Sequence, residues 1–251
     1  MSELKGKDYF STQAAVYAAF RPHYPQEMFD FVLHHVPNRL SAWDCATGNG
    51  QVALVLARYF ETVHATDISD KQLEQAPAAD NIVYAISPAE KTAFKNDSFD
   101  LITVGQALHW FDRQKFYSEV NRVARKGAMI AVWGYSLLQI DPSIDAIIAN
   151  FYNNTVGSYW DTARKLVEDE YRSIEFPFEG IKTPDFFIDV QWNLSHLAGY
   201  LESWSATQQY IQANDINPVP ALMADLSKFW KEEEIKGVRF PLFLLLGRCR
   251  T

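Results

Sequence analysis

The sequence predicts an α/β chain built on a mainly parallel sheet with helices on both faces, and three observations carry that reading. Between residues 41 and 133, five short apolar runs are separated by amphipathic or turn-rich stretches, the pattern of consecutive βαβ units. The first run passes straight into Asp44-Cys45-Ala46-Thr47-Gly48-Asn49-Gly50, a glycine-spaced turn ahead of a helix start. Past Tyr135 the alternation gives way to aromatic-rich helical stretches, which marks a mostly helical insertion near the C-terminus.

Taken in order, Lys5 to Arg21 reads as an entry segment and helix, ended by Arg21-Pro22-His23-Tyr24-Pro25, where each proline biases its predecessor toward extended geometry. A second helix spans Gln26 to Val36, with Met28, Phe29, Phe31, Val32 and Val36 able to pack inward. Strands are expected at Ala42–Cys45, Thr62–Thr66, Asn81–Ile86, Phe99–Val104 and Ala128–Trp133. Helices are expected at Gln51–Phe60, Asp70–Ala76 and Asp112–Arg125. Beyond them, Asp141–Tyr171, Ser195–Tyr210 and Pro220–Glu234 read as helical, and Phe186–Leu194 and Phe240–Gly247 as strands, seven strands in all. The chain divides as one domain over 1–251: a helical lid (1–36), a ligand-binding core (37–135), a substrate-side insertion containing one core strand (136–238) and a final strand (239–251).

Bulk composition narrows the function. The chain has 251 residues, 48% hydrophobic and 22% charged, an ordinary globular balance, and a net charge of −8 that disfavours a phosphate-tracking nucleic-acid binder. Residues 136–238 hold 16 acidic and 7 basic residues, so the excess lies in the insertion and the remainder is near +1. Cys45 and Cys249 form neither a disulfide framework nor a metal-ligand spacing, which suits a reducing cytoplasm and predicts no metal. No basic n-region with an apolar h-region opens the chain, and the longest apolar run is of strand length, so no membrane segment is expected.

The turn raises the question of which nucleotide it holds. A dinucleotide fingerprint needs G-x-G-x-x-G, and here its last position is Gln51 and its first is Ala46. An acid at the strand end, Asp44, would repel a pyrophosphate and attract an α-ammonium group. That contrast separates a nicotinamide dinucleotide from S-adenosylmethionine. Asp67 ends the next strand and can accept both hydroxyls of a ribose from either cofactor class, or simply cap the helix that follows. A nicotinamide oxidoreductase therefore stays a rival at this point, as does a cofactor-binding scaffold without turnover.

Further motifs follow in a fixed order: Tyr17 with Arg21-Pro22-x-Tyr24-Pro25, Ser87-Pro88-Ala89-Glu90, Asn96-Asp97-Ser98-Phe99-Asp100, Gln106-Ala107-Leu108-His109-Trp110-Phe111 and Glu119-Val120-Asn121-Arg122. On these residues the sequence resembles the class I S-adenosylmethionine-dependent methyltransferases, and more narrowly the small-molecule branch of trans-aconitate methyltransferase-like proteins. The resemblance runs from Tyr9 to about Trp133. It implies a Rossmann-like, seven-stranded sheet with one antiparallel strand, the last, at Phe240–Arg248. It also implies a cytosolic enzyme that methylates a small organic molecule and releases S-adenosyl-L-homocysteine, acting as a monomer or homodimer.

Carried over residue by residue, the resemblance makes Asp44, Ala46, Gly48 and Gly50 the cofactor loop, Ala46 standing where relatives have their first glycine. Asp67 becomes the ribose acid with Ile68 beside the adenine, Gln72 stands where relatives usually place an apolar residue at the adenine edge, and Ala89 and Glu90 form the loop that meets the exocyclic amine. Gln106 faces the methionine moiety, His109 and Trp110 border the methyl donor, and Tyr17 and Arg21 belong to the lid, Arg21 toward the cofactor carboxylate. His109 and Tyr135 are the candidates for a general base, should the acceptor need one. The acidic balance of the insertion disfavours a polyanionic acceptor such as a tricarboxylate.

Overall fold

The computed structural model describes residues 20–249. Its elements run in the order α1 (Gln26–His34), β1 (Ser41–Cys45), α2 (Gln51–Leu56), β2 (Thr62–Asp67), α3 (Asp70–Leu73), β3 (Ile82–Ile86), β4 (Phe99–Gly105), α4 (Arg113–Val123) and β5 (Ala124–Tyr135). There follow α5 (Pro142–Asn150), α6 (Arg164–Glu168), β6 (Glu179–Ile181), β7 (Phe186–Trp192), α7 (Leu194–Glu202), α8 (Ser205–Asn214), α9 (Val219–Leu226) and β8 (Lys236–Arg248). The expected entry helix at Lys5–Arg21 lies outside the described residues, apart from its last two positions.

One sheet carries the fold, in the order β3-β2-β1-β4-β5-β8-β6, with β7 also paired to β8. Strands β1 to β5 pair in parallel, and β8 runs antiparallel to β5, β6 and β7 alike. β8 is thus the single strand running against the rest, as expected. The sheet nevertheless has eight strands rather than seven. Glu179–Ile181 pairs with the far end of β8 while β7 pairs with its beginning, so two short strands share one edge of a long one. A three-residue strand with a central glycine has no period-2 pattern to reveal it.

The central strands have continuous apolar runs because alternate side chains enter different layers, both covered. Ala42, Leu101, Met129 and Ala131 join one buried cluster with α1, α2 and the later helices. Trp43, Ile102, Ile130 and Val132 join the other, under Phe116 and Val120 of α4. The chain order reverses between β1 and β4, which are neighbours with Asp44 opposite Thr103. In such a sheet the crevice at the carboxyl ends of those two strands is where ligands bind.

The later part of the chain departs from expectation in its detail. The helix expected over Asp141–Tyr171 breaks into α5, a π-helical turn at Phe151–Thr155, a 3-10 turn at Gly157–Tyr159 and α6. Asn153, Asn154 and Gly157 are weak helix formers at the break. Ser195–Tyr210 divides into α7 and α8 because Trp204 is extended, with Ser203 Oγ donating back to the Tyr200 carbonyl at 2.6 Å. Among the described residues, no helix is long and apolar enough to cross a membrane.

Candidate active site

The turn after β1 is the first component. Ala46, Gly48 and Gly50 have φ of 55°, 58° and 80°, so three of its residues lie in the left-handed region. Ala46 is the one with a Cβ, at a cost of about 1–2 kcal/mol for that conformation. Ala46→Gly is expected to raise stability by about 0.5–1 kcal/mol in urea denaturation, the relief being partly offset by glycine's larger unfolded-state entropy. Unchanged or lower stability would show that the turn relaxes around alanine.

The glycines differ in what they face. A Cβ on Gly48 would meet only Gln72 Oε1, at 3.8 Å, whereas one on Gly50 would lie 2.5 Å from Tyr84 Oη and 3.2 Å from Ala76 Cβ. Gly48 therefore leaves open space above the turn, and Gly50 is required by packing beneath it. Gln72, expected at an adenine edge, is buried on α3, with its Oε1 on the side of the turn that a Gly48 Cβ would face.

Asp67 closes the turn from β2. Its Oδ2 accepts the Gly48 N–H and its Oδ1 the Ser69 N–H, both at 2.9 Å, which orients the carboxylate at the strand end. Each oxygen can accept from more than one donor. Ile68 beside it is 51% exposed, an apolar surface next to the acid. Ala89 is buried, and Glu90 Oε1 accepts the Asp112 N–H at 3.0 Å at the start of α4, so part of its role is structural.

Asp44 is placed differently from expectation. It is 1% exposed, with Thr103 Oγ1 donating to Oδ1 at 2.8 Å and Thr47 Oγ1 donating to Oδ2. Burial raises its pKa to about 6, against the lowering effect of those hydroxyls and of the Ala53 N–H in the first turn of α2. No exposed oxygen meets an ammonium group directly. The carboxylate acts from the floor of the turn, tying β1, β4 and α2 together and setting a negative potential beneath the crevice.

The second component is a narrow cleft at the end of β4. Gln106, His109 and Trp110 form one side, and Trp160, Asp161, Arg164, Tyr200, Trp204 and Ser205 of the insertion form the other, with Arg21 between them. Gln106 sits at φ 55°, with its N–H on the Trp133 carbonyl at 2.9 Å and its Nε2 on the Tyr135 carbonyl at 3.3 Å. Its Oε1 is buried without a hydrogen-bond partner among the described residues, close to Gly134.

The two arginines differ in their engagement. Arg21 Nη1 donates to Tyr135 Oη at 2.8 Å, and its guanidinium lies 5.4 Å from the Tyr200 ring centre. Arg21 and Tyr135, expected in separate roles, are thus one unit. Arg164 lies 5.1 Å from the Trp160 ring centre, and its Nε donates at 3.1 Å to Tyr152 Oη, which donates to Glu168. Among the described residues that line the cleft, Arg21 and Arg164 stand against one acid, Asp161.

His109 is buried, with Nδ1 2.8 Å from Tyr171 Oη. Burial, then the Arg164 charge, depress its pKa to about 3, Asp161 opposing. An imidazole that weak is a poor general base. Tyr17 lies outside the described residues. Sequence reasoning missed Asp161, Arg164, Tyr171 and Ser205. The signal available was Trp160-Asp161-x-x-Arg164, an aromatic with paired charges opening a short helix.

Comparisons with known proteins fit this geometry. Residues 43–132 match the family model described as a methyltransferase domain. A methyltransferase-family protein of Dictyostelium discoideum is 32% identical over 97% of this chain and 96% of its own. A Saccharomyces cerevisiae protein named for S-adenosylmethionine-dependent methyl transfer is 24% identical over 70% of this chain and 63% of its own. Among solved structures, a type II methyltransferase-family protein from Anaeromyxobacter dehalogenans superposes with a TM-score of 0.85 at 35% identity, covering 92% of this chain and 98% of that one.

Proposed function

The chain belongs to the methyltransferase family, and on that premise we propose that it transfers the methyl group of S-adenosyl-L-methionine to a small organic acceptor by in-line displacement. The observation that carries the reading is the adjacency of the two components: a nucleoside-sized turn at β1 and β2, and an aromatic cleft one strand away at the end of β4. The residues fit that cofactor. Gly48 is open on its outer face, the Asp67 carboxylate is held in place to accept ribose hydroxyls, Ile68 offers apolar surface, and Gln106 lines the cleft. When bound, the sulfonium supplies a methyl carbon already activated for attack.

The chain's own residues then have to align the acceptor and exclude water, which is worth several kcal/mol through proximity. Trp110, Trp160, Trp204 and Tyr200 enclose the acceptor, and aromatic faces stabilise positive charge near the sulfur. Arg164 favours an acceptor with an anionic or hydrogen-bond-accepting group. An acceptor that is already anionic needs no base, in keeping with the weak basicity of His109. The absence of a nucleic-acid partner and residence in the cytoplasm, with Cys45 and Cys249 both free thiols, belong to the same proposal.

Calorimetry with S-adenosyl-L-homocysteine tests it. Binding by the wild type and at least a tenfold weaker affinity in Asp67→Ala are expected, since the substitution removes the ribose acceptor and the tie to Gly48. No binding by the wild type, or no loss in the variant, would sink the reading. Transfer of labelled methyl groups into a metabolite extract separates an enzyme from a cofactor-binding scaffold, which would label nothing.

A further inference from the structure

We propose that Tyr171 is a positioning residue that fixes His109 with its proton on Nε2, so that the imidazole presents the acceptor cleft with a hydrogen-bond donor instead of a base. The assignment of the cleft to the acceptor rests on the function proposed above; the tautomer itself does not.

The argument begins with the backbone. Helix α6 ends with the Glu170 N–H on the Val167 carbonyl at 2.9 Å and the Tyr171 N–H on the Leu166 carbonyl at 2.8 Å, the paired bonds of a Schellman cap. Such a cap needs one left-handed residue, normally glycine. Here Glu170 holds that place at φ 53°, and Tyr171 follows it at φ 58°. Two successive left-handed residues with side chains cost about 1–2 kcal/mol each, and the cap accounts for only the first. The second turns the Tyr171 ring into the protein, where it is 1% exposed, packs 5.1 Å from Phe243 and brings its hydroxyl to His109 Nδ1 at 2.8 Å.

The direction of that hydrogen bond follows from counting donors. Among the described residues, His109 Nδ1 is the one hydrogen-bond partner of Tyr171 Oη. Were Nδ1 to carry the proton and donate, the buried hydroxyl hydrogen would have no acceptor, at a cost of about 1–3 kcal/mol. The hydroxyl therefore donates to Nδ1. A neutral imidazole has one N–H, which is then on Nε2, the nitrogen without a partner among the described residues, in a residue that lines the cleft. Both groups are neutral, since burial pushes the Tyr171 phenol well above its ordinary range, and burial, then the Arg164 charge, disfavours an imidazolium. The Nε2–H joins Arg164 as a donor in the cleft. Both can donate to an oxygen of the acceptor, and neither is a base that would deprotonate it.

Long-range proton–nitrogen NMR of the ligand-free protein reads the tautomer directly. In the wild type, Nδ1 is expected at the shift of an unprotonated, hydrogen-bonded nitrogen and Nε2 at that of a protonated one; the reverse assignment overturns the proposal. Tyr171→Phe keeps the ring packing and removes only the hydroxyl. The Nδ1 shift is expected to move to that of a nitrogen without a donor and the Nδ1–H form to become detectable. A Nδ1 shift and tautomer unchanged by Tyr171→Phe would mean that Tyr171 serves packing alone. Failure of the wild type to bind S-adenosyl-L-homocysteine would instead remove the cofactor reading and leave the tautomer standing.

Discussion

Asp44→Asn is expected to gain stability relative to the wild type as pH rises from 4 to 8, by up to about 3 kcal/mol, and to lose cofactor affinity at the same time. Burial raises the Asp44 pKa from 3.8 to about 6, and that rise corresponds to about 3 kcal/mol of preference for the protonated form in the folded state. The folded protein binds this proton more tightly than the unfolded chain. The stabilising contribution is therefore fully present below about pH 4 and is lost as pH rises through about 6. Asparagine does not titrate, so the variant avoids the loss. It carries its own penalty, because one amide hydrogen beneath the turn needs an acceptor, but that penalty is constant with pH and cancels in the difference. Urea denaturation of both proteins at pH 4.5 and pH 8 measures the change, and parallel profiles would show that Asp44 ionises without cost. A cationic amino-acid tail above the turn would pull the Asp44 pKa down. Wild-type affinity for S-adenosyl-L-homocysteine should accordingly rise through pH 6, and the variant's should stay low and flat.

This trade between stability and function was half legible in the sequence. An acid at the end of β1 followed by small residues at alternate positions identified the turn, because its chemistry is local. What the acid does is not local. Asp44 is enclosed by Thr103, 59 residues further along the chain, and no property of the motif announces that partner. The same division runs through the molecule. Strands β1, β4 and β5 were readable because both faces are buried and their apolar runs are continuous, whereas β3, with Val83 and Ile86 exposed, was readable from its short apolar run alone. Glu179–Ile181 was not, since its pairing is created by the length of β8. The insertion was recognised as helical and aromatic, yet the π-helical turn and the extended Trp204 arise from tertiary packing that overrides weak local preference. Hence Trp160, Tyr200 and Trp204 could be named as aromatics without being assigned to the cleft. Arg164 carried no signal beyond its charge, and only the fold brings it to the cleft wall.

The two glycines of the turn, equivalent in the motif, are expected to fail in opposite ways. Gly50→Ala places a methyl group 2.5 Å from Tyr84 Oη and 3.2 Å from Ala76 Cβ at φ 80°. The left-handed backbone costs about 1–2 kcal/mol and the overpacking about 1–3 more, so a loss of roughly 2–5 kcal/mol is expected. In a chain of this size that lowers the melting temperature by about 5–15 °C. Tyr84 can yield only by giving up the bond from its hydroxyl to the Pro77 carbonyl, 3.0 Å long. Removing that hydroxyl should relieve part of the clash, so Gly50→Ala combined with Tyr84→Phe is expected to lose about 0.5–2 kcal/mol less than the sum of the single variants. Strict additivity would assign the whole effect to the backbone angle. Gly48→Ala has the same handedness at φ 58° but meets only Gln72 Oε1 at 3.8 Å, so its stability cost is confined to about 1–2 kcal/mol. Its new methyl group occupies the open side of the turn, where the nucleoside is proposed to lie, and its loss should appear as affinity for S-adenosyl-L-homocysteine. If both variants lose stability and affinity in the same proportion, the turn responds as one unit. The division of labour between a packing glycine and a ligand-facing glycine would then be wrong.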